Sequence, residues 1–296
     1  MQPEAPSVPF QSSESRDLCL RLYDEGLIPL GPQRRECDVQ AAGIRTRVVS
    51  LGPESGPPLL LVHGASASAA VLRNEIAWYA AAGFRVHAPD IPGHAGRSEP
   101  RALSLQDDTL GRWLEGVLNG LGITQAHCIG YSLGGLCVLR LAQRDPARIR
   151  SAVIAVPGGL SRPQILSALP MLADFIRYRI TKDARHREKM ALRMCGKGSP
   201  PEPYVLEWVT RLIEHLFPDD QRLPVLSAAE LSVIPTPMLV CPGEHDPLFD
   251  WRATLKRARA MPHATLEVLV GCGHLFDLAS LDRFRARSVE FLRSSG

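Results

Sequence analysis

Short apolar runs alternate with longer amphipathic stretches along most of this chain. Residues 59–62, 84–88, 127–130, 152–156, 238–241 and 266–270 are four or five residues each, mostly Leu, Val, Ile, Ala or Cys, bounded by glycine, proline or charged positions. Such runs read as strands with little face left for water. Residues 71–82, 133–144 and 281–292 read as helices between or after them. The stretch before the third run carries Leu110, Trp113, Leu114, Val117, Leu118 and Leu121 at helical spacing, a core-facing stripe. Strand and helix in alternation predict a parallel sheet with helical crossovers. The entry to it reads as an antiparallel hairpin, residues 37–40 and 44–51, after a polar tail (1–15) and a partly periodic helix over 15–30. Ser104-Leu105-Gln106-Asp107 has the spacing of a capping box.

The rhythm breaks between Gly159 and about Leu231. Residues 163–180 crowd Ile165, Leu166, Leu169, Met171, Leu172, Phe175 and Ile176 at helical spacing, and residues 204–217 add Leu206, Trp208, Val209, Leu212, Ile213 and Leu216. Lys197-Gly198-Ser199-Pro200-Pro201 reads as a loop or hinge between helices. The same segment carries Arg177, Arg179, Lys182, Arg185, Arg187, Lys189 and Arg193, relieved by Asp183 and Glu188. A solvated helix face explains such a run, and a patch for a carboxylate or phosphate is the alternative.

Composition narrows the class. With 296 residues, 45% hydrophobic and 22% charged, the chain is that of an ordinary globular protein. A net charge of +3, without a basic stripe interleaved with aromatics, argues against nucleic-acid binding. The N-terminus, Met1-Gln2-Pro3-Glu4-Ala5-Pro6, has neither a signal-peptide pattern nor an apolar run long enough to span a membrane. Seven cysteines at irregular spacing, without a Cys-x-x-Cys pair, suggest a reducing, cytoplasmic setting with no structural disulfide and no zinc site. Cys128, Cys137 and Cys241 fall in apolar segments and read as small buried hydrophobes.

The chemistry gathers where predicted strands end. Gly130-Tyr131-Ser132-Leu133-Gly134 sets a serine between two glycines, after an apolar run and before a helix-forming segment. A serine hydroxyl attacks a carbonyl only from a tight strand-to-helix turn within reach of a base and of free N–H groups, and the glycines leave room for that turn. The run at 238–241 delivers Pro242-Gly243-Glu244-His245-Asp246, and the last apolar run leads through Gly271-Cys272-Gly273 to His274. Residues beyond the carboxyl ends of neighbouring parallel strands converge on one crevice. Asp250 and Asp277 are nearby competitors for the carboxylate.

The order Ser132, Asp246, His274 resembles the α/β-hydrolase family. So do His63-Gly64 after an early strand and Asp90-Ile91-Pro92-Gly93-His94-Ala95-Gly96-Arg97-Ser98 after the next. The likeness runs from about Cys37 to the C-terminus, except for the divergent middle. It implies an α/β fold with a mostly parallel, doubly wound sheet and an inserted helical cap. The parts would be an N-terminal extension (1–35), a hydrolase core (36–159 and 232–296) and a cap (160–231). The cap helices, through Leu169, Leu172, Phe175, Trp208 and Leu212, would bury one face on the core and present others to the pocket. The resemblance further implies Ser132 as nucleophile, His274 as base, Asp246 as its orienting acid, and an oxyanion hole made of the backbone N–H groups of Ala65 and Leu133, with His63 supporting the loop.

The expected activity is hydrolysis of a small or medium carboxylic ester through an acyl-enzyme, without cofactor or metal. The same triad would serve an acyltransferase, a thioesterase or a carbon–carbon bond hydrolase, and a non-catalytic ligand-binding member is the reading from outside enzymology. Dehalogenase and epoxide-hydrolase chemistry on this fold places an aspartate at the elbow, and Ser132 argues against both.

Overall fold

A computed structural model describes residues 10–196, 200–215 and 222–295, with the side chains of 165–168 and 212–214 outside that description. Residues 1–9 of the expected tail (1–15), the Lys197–Ser199 part of the hinge, and the expected roles of Ile165, Leu166, Leu212, Ile213 and Leu216 fall outside it.

The hairpin forms as β1 (Arg35–Ala41) and β2 (Ile44–Leu51), joined by Ala42 and Gly43 at φ 52° and 76°. Two successive residues at positive φ match the right-handed twist of the strands they join. Five of the remaining strands lie close to the expected runs: β3 (Pro58–Val62), β4 (Arg85–Pro89), β5 (Ala126–Tyr131), β6 (Ile149–Ala155) and β7 (Met238–Cys241). The last, β8, is only Ala264–Leu266, shorter and earlier than the expected 266–270. It pairs on one side only, and beyond Leu266 a lone bridge from Leu269 to Gly243 replaces the ladder, leaving Val270 69% exposed.

The strands make one sheet in the order β1-β2-β4-β3-β5-β6-β7-β8, antiparallel through β1, β2 and β4 and parallel from β4 to β8. The chain runs outward from β3 to β4, then returns to place β5 on the other side of β3. That reversal opens a crevice at the carboxyl ends of β3 and β5.

Alternation along the strands divides the core in two. Leu60, Val62, Cys128, Ile154 and Val240 face a layer containing α3 (Thr109–Gly120) and α4 (Leu133–Arg144). Leu59, Leu61, Ile129, Val153 and Leu239 face α2 (Arg73–Ala81) and α10 (Leu278–Ser294), joined at the edge by α1 (Ser13–Leu27). Each such side chain, fully buried, contributes roughly 1.5–3 kcal/mol. The α3 stripe is buried from Leu110 to Leu118, and Trp113 donates its indole N–H to Thr46 Oγ1 at 3.0 Å. The capping box expected at Ser104 does not form. Ser104 Oγ accepts from Gln106 N, Asp107 accepts from Thr109 N, and the helix starts only at Thr109, where the apolar stripe begins. All seven cysteines are free thiols, six of them buried and Cys37 exposed.

Between β6 and β7 the chain builds α5 (Ile165–Thr181), α6 (Ala184–Leu192), α7 (Pro203–His215) and the short α8 (Ala228–Ser232). A genuine capping box, Ser227 with Glu230, starts α8. In α7, Trp208 is buried as the pattern implies, Leu206 and Val209 are half-buried, and Tyr204, outside the pattern, is buried as well. In α5 the apolar positions do not turn inward. Leu169, Leu172 and Ile176 are 48%, 51% and 49% exposed, while Asp174 and Tyr178 are buried. The Asp174 carboxylate lies on that inner face beneath the side chains of Arg193 and Arg177, and the leucines fall on the opposite face. The N-terminal helix reaches the same region, where Tyr204 Oη donates to Leu22 O at 2.8 Å.

A Cβ on Gly134 would run into the carbonyl oxygen of Val62, and one on Gly130 into that of Gly134. Neither obstacle is a flexible side chain, so β3, β5 and α4 cannot close around an alanine. Gly134→Ala is expected to lower the unfolding free energy by about 1–3 kcal/mol, measured by urea denaturation, whereas Gly83→Ala, with open space around it, should show only the smaller cost of its positive φ.

Candidate active site

Ser132 stands between the end of β5 and the start of α4, at φ 51° and ψ −113°. A non-glycine residue in that region is strained, and it persists only where its surroundings hold it there. The Ser132 N–H donates to Ala155 O at 3.0 Å, and its carbonyl accepts from Gly135 N and Gly158 N at 2.9 and 3.0 Å. The side chain is thereby lifted off the sheet toward the crevice.

His274 and Asp246 meet it there. His274 Nε2 lies 3.1 Å from Ser132 Oγ, and His274 Nδ1 lies 2.8 Å from Asp246 Oδ2. An ionised carboxylate can only accept, so Nδ1 carries the proton and the Nε2 lone pair faces the hydroxyl. The other carboxylate oxygen accepts from Leu248 N and Phe249 N at 2.7 and 3.2 Å. The Asp246 side chain is 1% exposed and that of His274 9%. The competing carboxylates are employed elsewhere. Asp250 caps α9 (Trp251–Ala258), and Asp277 caps α10 and also accepts from Ser280 Oγ.

Leu133 is the first residue of α4, where helix N–H groups have no partner within the helix. Ala65 lies in the turn after Gly64, and a Cβ built on Gly64 would stand 3.3 Å from Ser132 Cβ, so this loop borders the serine. His63 is fully buried and holds the loop. Its Nε2 accepts from Ile91 N at 2.9 Å, so Nδ1 is the donor to Gly64 O at 2.7 Å. Burial, and then the neighbouring His94, push its pKa down to about 3. Ser66, at φ 57°, gives its N–H to His94 Nδ1 at 3.0 Å.

The Asp90–Ser98 stretch, a motif without an assigned role in the sequence, proves to be the brace of this loop. Asp90 is wholly buried, accepting from Ala69 N at 2.7 Å and Arg97 N at 2.8 Å, and burial pushes its pKa up to about 6. Gly96 is glycine because any side chain would collide with that carboxylate.

A strained serine on a strand-to-helix turn, joined through histidine to a buried aspartate at the carboxyl edge of such a sheet, has a counterpart in sequence comparison. A model of the α/β hydrolase family matches residues 59–287. The chain belongs to the α/β hydrolase family.

Two relatives from Bacillus subtilis are an uncharacterized carboxylesterase, nap, 29% identical over 84% of both chains, and carboxylesterase YbfK, 27% identical over 97% of both. The crystal structure of the latter superposes with a TM-score of 0.80, at 24% identity in the structural alignment, over 94% of this chain and 98% of its own. A third relative, 2-hydroxymuconate semialdehyde hydrolase of Pseudomonas putida, is 31% identical over 86% of this chain and 92% of its own.

The segment between β6 and β7 is bonded to three loops of this site, those of Ser66, Asp246 and His274. Trp208 Nε1 donates to Ser66 O at 3.4 Å, Gln164 Nε2 to Asp246 O at 3.3 Å, and Leu275 N to Met194 O at 2.8 Å. Gly196 bridges Cys272, two residues before His274. A cleft of about 410 Å³ lined by Pro170, Lys189, Leu192, Arg193, Gly196 and Pro247 lies beside these joints. The bonds that Gln164, Trp208 and His94 make had no signal in the sequence, because each involves a backbone group remote along the chain.

A neutral His63 has a pH signature. Its folded pKa lies below the ordinary 6.5, so between about pH 3 and 6.5 the unfolded chain binds the proton and the folded one does not. The stabilisation is complete above pH 6.5 and falls on acidification, by up to about 1.4 kcal/mol per pH unit. Urea midpoints between pH 4 and 7 should therefore fall less steeply for His63→Asn than for wild type, although the variant is the less stable at pH 7.

Proposed function

We propose that this chain is a serine hydrolase that cleaves a small or medium carboxylic ester through an acyl-enzyme at Ser132. The observation that carries the reading is the unbroken hydrogen-bonded chain from Asp246 through His274 to Ser132 Oγ. The carboxylesterase names of two relatives aligned over most of their length support the bond type.

In this mechanism His274 Nε2 takes the Ser132 proton as Oγ attacks the ester carbonyl. Asp246 holds the ring in the right tautomer and stabilises the imidazolium that forms. The oxyanion accepts from the N–H groups of Leu133 and Ala65, each such donor being worth about 10²–10³ in turnover. His274 then protonates the departing alcohol, leaving the acyl group on Oγ. A water activated by the same nitrogen attacks the acyl-enzyme and releases the acid.

The reading includes a cap over residues 160–231, inserted into a core of 36–159 and 232–296. Its support is the set of joints from Gln164, Met194, Gly196 and Trp208 to the site loops. Carbon–carbon bond hydrolysis with the same triad is the second reading, favoured by the Pseudomonas relative and by no feature of the site itself. A panel of p-nitrophenyl esters and acyl thioesters beside 2-hydroxymuconate semialdehyde separates them, and kcat/KM highest for the semialdehyde would displace the ester reading.

Ser132→Ala is expected to fold normally and to lose both ester turnover and labelling by a fluorophosphonate. Equal labelling of variant and wild type would remove Ser132 from the mechanism. Asp246→Asn should lower kcat by about 10⁴, because asparagine favours the wrong tautomer. Asp250→Asn and Asp277→Asn should leave kcat within a few-fold, since asparagine caps helices as well as aspartate does. A larger kcat loss at either cap than at Asp246 would reassign the acid.

A further inference from the structure

The outer face of α5 has a composition that the hydrolytic reading does not use. Leu169, Leu172, Ile176 and Ile180 recur at three- and four-residue spacing, so they form one stripe, and they are 48%, 51%, 49% and 78% exposed. Around the helix the stripe is bordered by Arg177 on one side and Arg179 on the other, with Lys182 at its end. The one carboxylate of this helix, Asp174, is on the opposite face, buried and bound by Arg177 and Arg193.

The charge distribution singles out the same place. Residues 165–196 hold seven Lys or Arg against three Asp or Glu, an excess of four that exceeds the +3 of the whole chain and leaves the remainder at −1. Among the described residues no helix is long and apolar enough to cross a membrane, so the stripe suits a surface and not a span.

We propose that α5 docks this protein on an anionic lipid bilayer, the Leu169–Ile180 stripe entering the headgroup boundary and the basic border pairing with lipid phosphates. Amphipathic helices with an apolar face and a Lys/Arg-rich margin bind in this manner, with strength set by buried apolar area plus attraction to anionic lipid. A second copy fits the face less well, because self-association would bring two basic borders together. The stripe begins beside Pro170, which lines the cleft next to Pro247 and Gly196, so a docked helix would hold that cleft near the bilayer. The proposal is independent of the bond cleaved at Ser132.

The test is sedimentation of the full chain with sucrose-loaded vesicles of phosphatidylcholine, alone or with one quarter phosphatidylglycerol. Wild type should partition onto the anionic vesicles at least tenfold more strongly than onto the neutral ones, and lose that preference at high salt. Arg179→Gln with Lys182→Gln should weaken anionic binding by about 25-fold, about fivefold for each charge. Leu172→Ser with Ile176→Ser and Ile180→Ser should weaken it by at least tenfold. Both variants should keep wild-type Tm and wild-type hydrolysis of a water-soluble short-chain ester, if the chain hydrolyses one. Absent binding, equal binding to both vesicle types, or undiminished binding by either variant overturns the proposal. So does a concentration-dependent dimer in wild type that the triple variant abolishes, which would make the face a contact between copies.

Discussion

The backbone of Ser132 is held at a positive φ where β3, β5 and α4 approach so closely that only glycine fits two residues before it and two residues after it. Gly130 lets the turn of α4 sit on β5, and Gly134 lets α4 press on the carbonyl end of β3. The cost of such a conformation, of order 1–3 kcal/mol, is offset by the hydrogen bonds the Ser132 backbone makes to Ala155, Gly135 and Gly158. The hydroxyl is consequently aimed by the packing of the sheet and not by its own rotamer preference alone. Every other group of the site is arranged around that fixed point.

Buried polar groups carry out the arranging. His63 and Asp90 sit behind the first two parallel strands with no access to water, and between them they bind the backbone of Gly64, Ile91, Ala69 and Arg97. Both depart from ordinary titration through burial, His63 downward and Asp90 upward. Unsatisfied, either would cost more than its hydrogen bonds return, so each loop conformation is tied to its side chain. Asp246 is built on the same plan, one oxygen given to backbone N–H groups and the other to His274.

The helices between β6 and β7 are joined to this frame by main chain at the site and by ion pairs away from it. Gly196 and Gly273 approach so closely that a side chain on either would strike the other's loop, which couples the segment between β6 and β7 to the histidine loop. Farther out, Asp174 of α5 pairs with Arg193 and with Arg177 of its own helix, both arginines reaching solvent, while the apolar positions of the helix face outward.

Much of the fold and of the site was legible in the chain. The central strands, the α4 boundaries and the meeting of Ser132, Asp246 and His274 could be read in advance because the parallel sheet needs continuous apolar runs and the strand-to-helix turn needs its two glycines. These are local requirements, satisfied within a few residues. The length of β8, the failed capping box at Ser104, the orientation of α5 and the contacts of Gln164, His94 and Trp208 were not legible. Each depends on a partner farther along the chain: a neighbouring strand that ends, a helix whose start is set by what it packs on, an arginine of the next helical segment that covers the inner face of α5. A hydrophobic pattern states that a face is apolar, but only tertiary packing decides whether that face meets the core or the solvent.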